Sequence, residues 1–269
     1  MPVLSDARHL AASVKSLFMA GTVAIAAIVS ATCPDPAQVH VMTRNVYDGI
    51  DYRLRFGQDT DIAQALRDTW HDVALTEPDL RAALHASQIA RANPDLVAIQ
   101  EAVVVQTNGF TREDMLLDMV SELGTLGKPY EILVSMKGLD TGNVDIGRGH
   151  SIRIAIWDAI LVRSDLPHVV YGHQQGLYRR SYTLTTAKIE GSDPNDSSQP
   201  RANLNFRRNW MFVDIGLRGH TFRFVTTHLD HPMTLTPHTQ AAELLEAVGN
   251  TGLPVIVAGD FNDGYESPT

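Results

Sequence analysis

Apolar residues along the chain recur with two periods, one of two residues and one helical. Val39 to Val46 (VHVMTRNV) alternates apolar and polar positions, as a half-buried strand does. It ends at Asn45, and Tyr47-Asp48-Gly49 predicts a turn. From Asp59 to Ala92 the period changes, with Ile62, Leu66, Trp70 and Val73 at helical spacing. Pro78 suits the first residue of a second helix, whose apolar side carries Leu80, Leu84, Ile89 and Ala90. His71 and His85 on these helices read as solvated or capping side chains. Asn93-Pro94-Asp95 stops the helix, and Leu96 to Ile99 is a buried strand finishing in Gln100-Glu101. Thr111 to Leu123 predicts a helix with Thr111 as N-cap and Asp114 three residues on.

Tyr130 to Met136 reads as a strand, and residues 137–150 as a Gly- and Asp-rich loop. Ser151 to Arg163 predicts two strand pieces divided near Trp157-Asp158, and Tyr178 to Ile189 alternates as another strand. Gly191 to Pro200 has loop composition, after which Phe206–Leu217 and Thr221–Thr227 form a hairpin around Arg218-Gly219. Pro237 to Val248 is helical. The apolar run Val255 to Ala258 then breaks off in Gly259-Asp260-Phe261-Asn262. No internal repeat or domain boundary interrupts this order, which implies sheets with helices on their outer faces in one α/β layered domain.

Composition sharpens the picture at the N-terminus. Leu17 to Ala31 is an uncharged run of about 15 residues preceded by Arg8 and Lys15, too short to span a bilayer but suited to a signal-peptide core. Val29-Ser30-Ala31 offers a cleavage site. The chain thus divides into a signal peptide (1–31), a Pro/Asp spacer (32–38) and a domain over 39–269, and is expected to be secreted or periplasmic with no transmembrane span in the mature chain. Cys33, the single cysteine, excludes intrachain disulfides and cysteine zinc sites. Ser30-Ala31-Thr32 before it is a poor lipobox, so lipoprotein anchoring is the weaker alternative. A net charge of −9 argues against a protein that holds nucleic acid stably by counterion release.

Candidate chemistry sits at strand ends. Asn45, Glu101, His228 and Asp260 with Asn262 each follow an apolar strand, and their heads are chemically complementary. A carboxylate directly after four buried residues requires water, a partner or a cation. Carboxylate and amide oxygens in small number suit Mg2+, with Mn2+ or Ca2+ as alternatives, whereas zinc would want clustered histidines and His228 and His231 are poorly spaced for it. Arg179-Arg180 and Arg207-Arg208 form a basic cluster that reads first as a solvated strand face and second as a phosphate contact.

The segments TRNV, PDLVAIQE, VTTHLDHP and VIVAGDFND, in this order, resemble the endonuclease/exonuclease/phosphatase superfamily, the deoxyribonuclease I-like fold, over roughly residues 39 to 265. NVYDGID followed by two helices is similar to exported bacterial members. The resemblance implies a four-layered α/β sandwich and metal-dependent hydrolysis of a phosphoester, the substrate being a nucleic acid, a phospholipid head group or a small phosphoester. It implies Glu101 as the principal metal ligand with Asn45 beside the metal. His228 is then the phosphate-binding histidine, Asp260 the residue that orients or deprotonates water, and Asn262 the amide that positions it. Asp158 and Arg163 in WDAILVR are expected to be structural. The superfamily closes with a Ser-Asp-His motif some tens of residues after GDFN, and this chain stops at Thr269. The expectation is a C-terminally truncated domain without the final catalytic histidine, with a catalytically inactive fragment or binding relic as the alternative to an active enzyme.

Overall fold

The computed structural model describes residues 38–51, 61–179, 183–185, 203–205, 207–230 and 236–262. The expected signal peptide (1–31), the loop expected over Gly191–Pro200, Arg180, His231 and most of the strand expected over Tyr178–Ile189 lie outside the described residues. Two mixed sheets face each other. The first runs β1 (Val41–Asn45), β2 (Leu96–Thr107), β6 (Ser151–Arg163), β4 (Tyr130–Asp140), with β3 (Phe110–Asp114) beside the far half of β2 and β5 (Val144–Asp145) beside β6. The second runs β12 (Val255–Asp260), β11 (His220–His228), β10 (Asn209–Leu217), β7 (His168–Leu177). A short pair, β8 (Thr183–Thr185) and β9 (Asn203–Asn205), stands apart.

Period-two alternation builds the layers. In β10, Met211, Val213, Ile215 and Leu217 point between the sheets and meet Leu96, Ala98 and Ile160 of the first sheet. Trp210 and Phe212 point the other way and pack with Leu244 and Val248 of helix α4 (Thr236–Val248). On the outer face of the first sheet, Val97, Ile99 and Leu161 pack under helices α1 (Ile62–Leu75), α2 (Pro78–Ala92) and α3 (Met115–Thr125). Helices, sheet, sheet and helix are therefore stacked as the expected four-layered α/β sandwich. Val41–Asn45 pairs in parallel with Leu96–Gln100, and Arg223–His228 pairs in parallel with Val255–Asp260, so β1, β11 and β12 all finish at one end. No helix of the described residues is long and apolar enough to cross a membrane.

Several boundaries differ from expectation. Phe110–Asp114 is a strand rather than the start of a helix, because Asn108-Gly109, both at positive φ, close a tight hairpin onto β2. The helix begins at Met115, with Asp114 accepting the Leu117 N–H at 3.1 Å. Ser151–Arg163 is one continuous strand. Residues 168–177 form an edge strand, mostly exposed and therefore without a readable alternation. His85 is neither solvated nor a cap: half-buried, its Nδ1 accepts from Arg44 Nε at 3.0 Å. Burial, then the Arg44 charge, pushes its pKa down to about 4.

Candidate active site

At the end where β1, β11 and β12 finish, the inward positions of both sheets turn from apolar to polar. The first sheet contributes Asn45, Gln100 and Asp158; the second contributes Asn209, Thr226, His228 and Asp260. These groups bond across the gap. Asn45 Nδ2 donates to Asp260 Oδ2 at 2.8 Å, Gln100 Nε2 to Thr226 Oγ1 at 2.9 Å, and Asn209 Nδ2 to Asp158 Oδ2 at 2.8 Å. A buried polar seam of this kind specifies how two sheets register on each other, since every misplacement leaves a group unpaired.

Glu101 reaches the seam by an irregularity. The pairing of β2 with β6 shifts between Ile99 and Ala102, so Gln100 and Glu101 together face Asp158 alone. Glu101 takes φ +64°, in the left-handed region. Its carboxylate lies 3.5 Å from His228 Nε2, and Asp260 Oδ2 lies 3.7 Å from the same nitrogen. One ligand atom from each of Glu101, His228 and Asp260 falls within 4.8 Å of the others. Glu101 was expected at a strand tip; it sits at a bulge inside a strand that continues to Thr107.

Electrostatics mark the cluster as short of positive charge. Burial raises the Glu101 carboxyl, and Asp260 adds to the rise, while the Asn45 side chain, Arg208 and the Asp48 N–H oppose it. Burial likewise pushes Asp158 up to about 6. His228 is fully buried, and burial followed by the Arg208 charge holds its pKa well below the usual imidazole value, leaving a neutral ring. Two carboxylates and a neutral imidazole converging within metal-ligand range are a donor set that fits a divalent cation, whose charge would offset the penalty that burial places on the Glu101 carboxylate.

Asn45 donates to Asp260 and lowers the Glu101 carboxyl beside it, and its Oδ1 accepts the Tyr47 N–H at 2.9 Å. Beyond Asp260, the Asn262 N–H donates to Asp260 Oδ1 at 2.8 Å and Asn262 Nδ2 to the Leu229 carbonyl at 2.7 Å. Asn262 thus ties the tips of β11 and β12 together. Arg163 lies away from this group, at the other end of β6, paired with Asp165 and near Asp95.

Arg208 is the departure from the solvated reading of the basic cluster. Its Nη1 lies 2.9 and 3.0 Å from the two ring nitrogens of His228, near-equal distances that place it over the ring rather than in line with one lone pair. Its Nε donates to Asp230 Oδ1 at 3.1 Å, and Asp230 is in turn gripped by Gln240 of α4, which donates to Oδ2 at 2.9 Å. Asp158 was expected to be structural and Arg208 a phosphate contact only after a solvated face, and Asn209 had no motif to announce it. The signal for Arg208 was the Arg-Arg pair directly before β10, where a charged side chain can fold back over the strand's end.

No family model matches the chain, and no curated protein matches it. Solved structures are similar to it at low identity. A Bacteroides thetaiotaomicron mannosyl-6-phosphatase is 15% identical over 84% of this chain and 66% of that one, with a TM-score of 0.43. An endonuclease/exonuclease/phosphatase family protein from the same organism is 15% identical over 83% of this chain and 62% of that one, TM-score 0.44. D. rerio TDP2 complexed with a single strand DNA product is 16% identical over 68% of this chain and 54% of that one, TM-score 0.39. The chain spans less than two thirds of the length of each.

Proposed function

We propose that this chain is a divalent-metal-dependent phosphoester hydrolase of the endonuclease/exonuclease/phosphatase type, with Glu101, His228 and Asp260 around the cation. The observation that carries the reading is the convergence of those three side chains within 4.8 Å, from β2, β11 and β12, at the polar end of the sandwich. Mg2+ suits the oxygen donors best, with Mn2+ or Ca2+ as alternatives. Bound there, the cation offsets charge on the phosphoryl oxygens and makes water a better nucleophile. Asp260, its two oxygens oriented by Asn45 and by the Asn262 N–H, aims the water and accepts its proton. Neutral His228 presents its Nε2 lone pair to the cation, on the side of Glu101 and Asp260. Arg208 adds positive charge beside His228.

Nucleic acid, a phospholipid head group and a small phosphoester are the substrate classes, and residues 1–31 direct the protein out of the cytoplasm. Calorimetry with Mn2+ and Mg2+, followed by release of p-nitrophenol from bis-p-nitrophenyl phosphate with and without the metal, tests the reading. Saturable binding and metal-dependent release are expected from the wild type. Absence of divalent binding at the cluster would sink it.

A further inference from the structure

In a regular strand, successive residues of β2 alternate between the two faces of the first sheet. Leu96 and Ala98 point between the sheets, Val97 and Ile99 point under the helices, and Gln100 points between the sheets again, at Thr226. Uninterrupted alternation would send the Glu101 carboxylate under the helices, into an apolar cluster. The left-handed turn at Glu101 redirects it to the site. For a residue with a Cβ that conformation is sterically costly, so it persists where surrounding groups over-determine it.

Asp158 is placed to do this. It is the single residue of β6 opposite the extra residue of the bulge, and its Oδ1 accepts the Glu101 N–H at 3.1 Å. Its Oδ2 accepts from Asn209 Nδ2, on the opposing sheet, at 2.8 Å. Asp158 is 4% exposed and Asn209 is 0% exposed, so neither bond exchanges freely with water. A carboxylate acceptor makes both bonds charge-assisted.

We infer that Asp158 is a positioning residue: it holds Glu101 in its left-handed conformation through the Glu101 N–H and thereby aims that carboxylate at the cation, with Asn209 bracing it from the second sheet. The assignment of Glu101 to the cation rests on the proposed function; the hold on the Glu101 backbone does not. The Asn209 Oδ1, buried and without a hydrogen-bond partner among the described residues, gives the inference a sharp test. In Asp158→Asn the new amide keeps an oxygen for the Glu101 N–H, and Asn209 turns its own amide so that the orphan Oδ1 accepts from the new NH2. Asp158→Leu removes the acceptor altogether.

The experiment measures Glu101 amide hydrogen exchange in the metal-free full chain, then Mn2+ affinity by calorimetry, with thermal melts to report folding. Asp158→Leu is expected to expose the Glu101 amide selectively and to weaken Mn2+ binding by about 10–100-fold, the usual cost of losing a ligand's supporting partner. Asp158→Asn should restore protection and bring affinity to within about twofold of wild type, the error of such comparisons. In a Glu101→Gln background, Asp158→Leu should weaken binding no further. Unchanged Glu101 exchange in Asp158→Leu overturns the inference, as does an Asp158→Asn affinity as poor as that of Glu101→Gln. Should Asp158→Leu fail to fold, Asp158→Asn decides by itself, since loss of Glu101 protection there is equally fatal. A wild type that binds no Mn2+ defeats the functional reading instead, leaving the exchange result to judge the positioning.

Discussion

At the scale of residues, Asn45, Glu101, His228 and Asp260 were all visible as polar heads after apolar strands, and the structure brings the four together. Their readability has a simple cause: a polar residue after a buried run is a local exception to the burial pattern. Asp158 and Asn209 were not readable as site members, and Arg208 was legible only as a phosphate contact second to a solvated face, because each earns its place through a partner remote in sequence, 57, 51 and 20 residues away respectively. Glu101→Gln is expected to weaken Mn2+ binding by more than about tenfold, since it removes a charge from the donor set while keeping the amide-sized side chain; calorimetry on a variant with a wild-type melting curve checks this. Asp260→Asn is expected to lower kcat by about 100-fold or more with little change in KM, the mark of a group that handles a proton. Steady-state kinetics on the diester distinguish this from a binding defect.

At the scale of elements, the parallel pairing of β11 with β12 delivers His228 and Asp260 side by side. Gly259 permits it. A Cβ there would come within 2.2 Å of the Thr227 carbonyl oxygen and 2.9 Å of its nitrogen, and neither backbone atom can move without breaking the pairing. Gly259→Ala is therefore expected to destabilise the protein by about 1–3 kcal/mol and to lose metal binding with it, as read by urea melts at fixed Mn2+. The glycine of GDFN had appeared only as part of a turn. The Asn108-Gly109 hairpin shows the opposite case, in which the strongest short-range turn signal was present and a capping pattern was read in its place.

At the scale of the whole molecule, the two ends of the sandwich do different work. Away from the site, buried Asp95 accepts both Arg218 Nε at 2.8 Å and Nη2 at 2.9 Å, as well as the His40 N–H at 3.0 Å. This clamp joins the first sheet to the β10–β11 hairpin. Asp95→Ala is expected to cost about 3–5 kcal/mol in denaturant unfolding while leaving Mn2+ affinity of the folded protein unchanged. A second whole-molecule effect is pH. Burial, then Asp79 from α2 and Asp118 from α3, raise the Glu113 carboxyl from 4.5 to about 7, with Arg81 opposing. The folded state thus holds this proton more tightly than the unfolded state. Stability from Glu113 is full below about pH 4.5 and is lost as pH rises to about 7. Glu113→Gln should flatten that part of the melting temperature against pH; an identical slope in the variant would remove Glu113 from the account.

Local pattern alone determined the α/β class and the identity of the polar heads, since burial periodicity and turn chemistry act over a few residues and are written directly in the chain. Only the tertiary structure decided which face Glu101 would take. That choice depends on a bulge, and the bulge depends on Asp158 and Asn209 meeting it from two other strands. A one-residue irregularity turns Glu101 away from the face that the alternation assigns it, and nothing in the apolar run Leu96 to Ile99 announces it.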